Sequence, residues 1–169
     1  MTALPSFDAD CDRCVALCCL ALAFDRGDDF AIDKPAGVAC PNLDGHGCSI
    51  HETLEDAGFG GCVRYSCHGA GQRVAQELFD GQSWQSEPAL TGPMITAFRG
   101  MRELQERLMQ LTAAKALPLS DQDRAALVAL TAPLLPGGMD QLAVRDFPGS
   151  ALRTEIDRFV TGLRRYVSR

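Results

Sequence analysis

The stretch Cys11-Asp12-Arg13-Cys14-Val15-Ala16-Leu17-Cys18-Cys19-Leu20-Ala21-Leu22-Ala23-Phe24 decides how the chain is read. It spaces its cysteines as C-x2-C-x3-C-C, and four more follow at Cys40, Cys48, Cys62 and Cys67, with none beyond. Read as a helix over 12–24, it sets Leu17, Leu20, Ala21 and Phe24 on one face. Cys11, Cys14 and Cys18, at i, i+3 and i+7, fall on the opposite face with Cys19 beside them. The apolar face belongs to a core, and the thiol face needs a different covering.

Composition changes near residue 69. All eight cysteines and all three histidines precede it, and Leu, Ala, Arg and Gln dominate after it. Residues 1–69 carry eleven acidic and four basic side chains, whereas the remainder carries eleven acidic and twelve basic ones. Thiolates would deepen the first imbalance; a bound cation relieves it, and a solvated acidic surface is the alternative. The net charge of −6 argues against nucleic acid as the main partner. With 46% hydrophobic residues the chain can bury an ordinary core.

The beginning, Met1-Thr2-Ala3-Leu4-Pro5-Ser6-Phe7-Asp8, has neither the basic nor the apolar region of a signal peptide. No apolar run approaches the roughly 20 residues of a membrane span. A cytoplasmic location is expected, where clustered cysteines serve metal or redox chemistry more often than disulfides.

The expected fold is mainly α: a cysteine-rich, loop-rich metal-binding part (1–69) packed on a small helical bundle (70–169) as one compact unit. Residues 25–47, with Gly27, Pro35, Gly37, Pro41, Gly45 and Gly47, read as irregular loop tied down at Cys40 and Cys48. A short helix is predicted over 49–57 with Ser49 as N-cap, a strand or turn over 62–67, and a helix over 70–79. The strongest helix spans 94–116, where Met94, Ala97, Met101, Leu104, Leu108 and Leu111 make a buried seam. Arg99/Glu103, Arg102/Glu106 and Glu103/Arg107 are its i,i+4 pairs. Ser120 caps a helix to about Thr131, and a last helix, about 149–167, aligns Leu152, Ile156, Phe159, Leu163 and Val167. The basic residues Arg153, Arg158, Arg164, Arg165 and Arg169 read as its solvated face.

The candidate metal ligands are Cys11, Cys14, Cys18, Cys19, Cys40, Cys48, Cys62 and Cys67. A C-x2-C pair brings two thiolates to one ion across a turn, and a pair from elsewhere closes a tetrahedron. Eight thiolates suit two zinc sites, a shared multinuclear site, or iron–sulfur clusters. Adjacent side chains on a helix point about 100° apart, so Cys18 and Cys19 more naturally serve two neighbouring centres. Spacing alone does not pair the cysteines into sites. His46, His51 and His68 read as surface or supporting residues, and Asp8, Asp10 and Asp12 as an exposed acidic end. Gly69-Ala70-Gly71 lacks the third glycine and Lys-Ser/Thr of a phosphate loop and reads as tight packing after Cys67. The order C-x2-C-x3-C reverses that of radical enzymes that use S-adenosylmethionine.

At these cysteines, together with Cys48-Ser49-Ile50-His51, the chain resembles the YkgJ-like zinc- or iron-chelating domain, the CxxCxxCC proteins. Phe30-Ala31-Ile32-Asp33-Lys34, Cys40-Pro41-Asn42-Leu43 and Gly69-Ala70-Gly71-Gln72 resemble the version found in actinobacterial proteins that also carry pentapeptide repeats; the repeats are absent here. The resemblance covers about the first 110 residues and implies zinc or iron as cofactor. A flagellin lysine methylase with a similar cysteine arrangement keeps an iron–sulfur enzyme in play, and a redox-responsive regulatory protein is a third reading. No residue is assigned a catalytic role, and no substrate or protein partner is implied.

Overall fold

The computed structural model describes residues 3–167. Met1, Thr2 and Arg169, which entered the reading of the two ends, lie outside them. Among the described residues there are seven α-helices: α1 (Leu17–Ala21), α2 (Gly60–Arg64), α3 (Ala70–Arg73), α4 (Thr91–Ala114), α5 (Asp121–Thr131), α6 (Gln141–Asp146) and α7 (Ala151–Gly162). Strands β1 (Leu43–Asp44) and β2 (Gly47–Cys48) form a two-residue antiparallel hairpin that pairs Leu43 with Cys48. The fold is mainly helical, as the periodicity implies. Among the described residues no helix is long and apolar enough to cross a membrane.

The spine is α4. Its seam residues Met94, Ala97, Met101, Leu104, Leu108 and Leu111 are all buried, as the 3.6-residue spacing predicts. It packs against α1, α3, α5, α6 and α7. Leu17 and Ala21 from α1 join the same apolar cluster as Ala70, Val74, Phe98 and Phe147. A five-residue helix is far below the roughly 12–15 residues an isolated helix needs. It persists because Leu17 and Leu20 are buried, each worth roughly 1.5–3 kcal/mol.

Several elements differ from expectation. The helix predicted over 12–24 shrinks to α1. Cys11–Arg13 form a single 3₁₀ turn, Cys14 is extended, and Ala16 takes a left-handed conformation at φ 57°. Cys11 and Cys14 therefore do not share a helical face with Cys18. Phe24 leaves the helix to pair its backbone with Lys34. Ser49 does not cap a helix; its hydroxyl donates to Asn42 O at 3.0 Å, and only His51–Thr53 coil, as a 3₁₀ turn. The expected strand or turn over 62–67 begins instead as α2, and α3 continues as a π-turn over Val74–Leu78. The last helix ends at Gly162 and tightens into a 3₁₀ turn over Leu163–Tyr166, which leaves Val167 exposed. Of the three i,i+4 pairs read along α4, Arg102–Glu106 forms at 3.3 Å, whereas Arg107 turns to Asp157 at 3.1 Å and Glu103 faces Arg153.

The α4–α6 crossing explains a glycine inside the longest helix. A Cβ on Gly100 would collide with the carbonyl of Val144. Gly100→Ala is therefore expected to destabilise by about 1–3 kcal/mol despite alanine's better helix propensity. A melting temperature equal to or above wild type would contradict this packing.

A second clasp joins the C-terminal turn to the start of α5. Ser120 caps α5 through Asp123 N–H, and Ser120 N–H donates to Tyr166 Oη at 3.1 Å. Tyr166 and Arg165 both donate to Asp123 Oδ2, the latter at 2.5 Å. These bonds, Tyr166 first and then Arg165, hold the Asp123 carboxyl down at about 2. A depressed carboxyl contributes stability that is complete above its unfolded value, roughly 4. That contribution fades as pH falls towards 2. Asp123→Asn should thus be less stable than wild type at neutral pH, with the gap closing between about pH 4 and 2. Acid unfolding curves of the two proteins test this, and a gap that stays constant over that range would contradict it.

Candidate metal centre

The sulfur-bearing segments are drawn around α1. Trp84 Nε1 donates to Val15 O at 2.7 Å and anchors the turn between Cys14 and Cys18. Gln72 braces the preceding segment, accepting from Asp10 N–H at 3.2 Å and donating to Asp8 O at 2.8 Å. Cys40 N–H donates to Cys19 O at 3.0 Å, which ties the loop to α1, and the hairpin then returns the chain to Cys48. The turn after Cys67 is left-handed at His68 and Gly69, with φ of 50° and 78°. Gln105, fully buried on α4, donates to His68 O at 2.7 Å and accepts from Arg73 at 2.9 Å. The last cysteine is thereby fixed to the bundle.

All eight cysteines are free thiols; Cys11 is exposed and the other seven are partly buried. Among the described residues no three Cys, His, Asp or Glu side chains converge closely enough to grip an ion as they stand. Smaller groupings are nevertheless built in. A Cβ placed on Gly71 would lie 2.6 Å from Cys14 Sγ and 4.0 Å from Cys67 Sγ, so the first turn of α3 leaves room for two sulfurs 53 positions apart in sequence.

The electrostatics follow these groupings. Burial pushes the Cys14 thiol up to about 11, against the hydrogen bond from Leu17 N–H; Cys18 raises it, Ala16 N–H lowers it, and Cys67 raises it. The left-handed Ala16 turns the two N–H groups onto the sulfur, a local alternative to continuing the helix. Cys11 is raised by burial, then by Cys18, Cys67, Asp10 and Asp12. Cys18 is raised most of all, by its hydrogen bond with Cys19 and then by burial. Cys62 is raised by burial and by Cys18, Cys40 and Cys48, while Lys34 pulls it down. Thiols so placed resist ionisation in water alone; a coordinated cation reverses that preference.

Three residues given no role from the sequence support the cysteine-bearing segments. Lys34 is 4% exposed, and its ammonium donates to Val38 O at 2.8 Å, Pro35 O at 3.2 Å and Leu20 O at 3.4 Å. In the sequence it stands out as one of two bases in a loop rich in aspartate and as the end of the stretch Phe30-Ala31-Ile32-Asp33-Lys34. The buried Tyr65 hydroxyl has no hydrogen-bond partner among the described residues. Burial raises its pKa, the overlying Arg102 lowers it, and Cys18 and Cys67 raise it. Gln105 was hidden because it interrupts an apolar seam. The histidines are engaged elsewhere: His46 Nε2 meets Ser83 Oγ at 3.0 Å, His68 Nδ1 meets Ser66 Oγ at 3.3 Å, and His51 is exposed.

No protein-family model matches the chain. No solved structure matches it either. A Bacillus subtilis (strain 168) protein named uncharacterized protein YybG is 41% identical over 113 residues, or 66% of this chain and 40% of that protein. The chain thus spans less than half the length of this relative.

Gly71 gives a direct check of the sulfur arrangement. Gly71→Ala forces Cys14 Sγ away from the first turn of α3 and should destabilise the fold by about 1–3 kcal/mol. It should also raise the reactivity of Cys14 towards a thiol reagent, read by mass spectrometry. Unchanged reactivity and melting temperature would contradict the contact.

Proposed function

We propose that this chain is a metal-binding protein that holds zinc or iron, the latter as iron–sulfur centres, through Cys11, Cys14, Cys18, Cys19, Cys40, Cys48, Cys62 and Cys67. The observation that carries the reading is the convergence of Cys14 and Cys67 on Gly71, with Cys11 and Cys18 as their electrostatic neighbours and every thiol unpaired. An all-sulfur donor set selects zinc, copper(I) or iron–sulfur chemistry over hard cations. Closed four-thiolate zinc would contribute folding energy, whereas iron–sulfur clusters would carry electrons. Membership of the YkgJ-like CxxCxxCC group and a reducing, cytoplasmic setting belong to the same reading. Small shifts of the loops bearing Cys40 and Cys48, which carry little regular structure, would close the ligand shell.

One feature favours a second reading, an iron–sulfur enzyme. A groove of about 440 Å³ runs between Asp8, Asp10 and Arg13 on one side and Gln72, Glu77 and Pro136 on the other. Its walls come from both the cysteine-rich segment and the helical part, where a substrate cleft is expected.

Anaerobic purification followed by elemental analysis and a visible spectrum tests the proposal. Zinc without colour supports a structural or storage role, and a brown, air-sensitive protein supports the second reading. Cys14→Ser should lose metal and melt at a lower temperature. A reduced wild type that is folded yet metal-free would overturn both readings.

A further inference from the structure

The Cβ that Gly71 lacks would stand 2.6 Å from Cys14 Sγ and 4.0 Å from Cys67 Sγ. The two sulfurs are therefore no farther apart than those distances laid end to end. Both are free thiols, and both are partly shielded from solvent. A bond between them needs sulfurs about 2.05 Å apart. Rotation about the two Cα–Cβ bonds is the movement that closes a gap of this size.

The main chain at both cysteines is held to the helical part. Gln76 Nε2 donates to Arg13 O at 3.0 Å and Trp84 Nε1 to Val15 O at 2.7 Å, one on each side of Cys14. Ala70 N–H donates to Cys67 O at 3.0 Å, and Gln105 Nε2 donates to the next carbonyl, His68 O, at 2.7 Å. The bundle thus sets the spacing of this pair. Other cysteines are placed differently. Cys18 and Cys19 are consecutive on α1, where side chains point about 100° apart. Cys11 is exposed on a single 3₁₀ turn, and Cys40 and Cys48 stand on the loop and the two-residue hairpin.

We infer that Cys14 and Cys67 form a redox site, which hydrogen peroxide converts to a Cys14–Cys67 disulfide and excess thiol restores. Peroxide takes one sulfur to its sulfenic acid, and the O–O bond breaks with release of one water. The other sulfur attacks that sulfenic acid. The S–S bond forms, and the hydroxyl leaves with the attacking thiol's proton as a second water. The two sulfurs lose two electrons in all, and the peroxide oxygens gain them. Because the partner sulfur is already at hand, the second step is intramolecular and outruns further oxidation to sulfinic acid. The pairing itself needs no metal. Its consequence rests on the metal-binding reading above: a disulfide withdraws two of the proposed donors, so metal and peroxide compete for one pair.

The test treats the reduced, metal-stripped full chain with an equimolar amount of hydrogen peroxide, alkylates the remaining thiols and maps cross-links by peptide mass spectrometry. The first product should have two thiols fewer per chain and join Cys14 to Cys67. Dithiothreitol should return all eight thiols. The same chain unfolded in guanidinium should lose the preference for this pair. A first cross-link between any other two cysteines, oxidation to sulfinic acid without a cross-link, or an equal preference in guanidinium overturns the site. Protein purified with its metal should release it as the same cross-link appears, and a cross-link without release overturns the competition. Protein that forms the Cys14–Cys67 bond but binds no metal before oxidation overturns the metal-binding reading and leaves the redox site standing.

Discussion

Cys18 and Cys19 occupy consecutive positions on the five-residue helix α1, opposite the residues it buries in the core. The rest of the cysteine-rich segment is organised around that helix: Cys40 N–H bonds to Cys19 O and Gly37 N–H to Leu20 O. Leu17, Leu20 and Ala21 commit the other face of α1 to the core, so the two thiols cannot rotate away. The neighbouring Cys19 and then burial make the Cys18 thiolate unfavourable in the protein alone, and a soft cation is the ordinary physical means of stabilising several thiolates at once.

The bundle supports this arrangement through a small number of buried polar contacts. Gln105 bridges the carbonyl of His68 to Arg73, which in turn grips Glu77 through both carboxylate oxygens and reaches Leu134 O. Removing Gln105 would take one hydrogen bond from the partly buried His68 O and one from Arg73, which keeps Leu134 O and Glu77, a loss of about 0.5–1.5 kcal/mol for each. That stake is comparable to a core leucine, and it fixes the turn that delivers Cys67. Lys34 does the corresponding work on the loop side, gathering carbonyls from α1 and from the segment leading to Cys40.

The helical part was largely legible in the sequence. The seam of α4 and the Ser120 cap of α5 are local signals, and both are found. Helix α6 was missed because six residues between Pro136 and Pro148 are too few to show a period. The cysteine-rich part was harder to read because side chain–backbone bonds outweigh propensity there. Nothing in Val15-Ala16-Leu17 announces a left-handed residue, yet Ala16 adopts one, and the Ala16 and Leu17 N–H groups lie where they lower the Cys14 thiol. The identities of the sulfur donors could be read from spacing, but their partners could not: Cys14 meets Cys67 across Gly71, and only tertiary structure brings them together.

X-ray absorption at the metal edge of anaerobically purified protein tests the central claim most directly. The account predicts a first shell of sulfur alone, four neighbours at about 2.3 Å. A shell dominated by nitrogen or oxygen, or protein with no metal edge to measure, would contradict it.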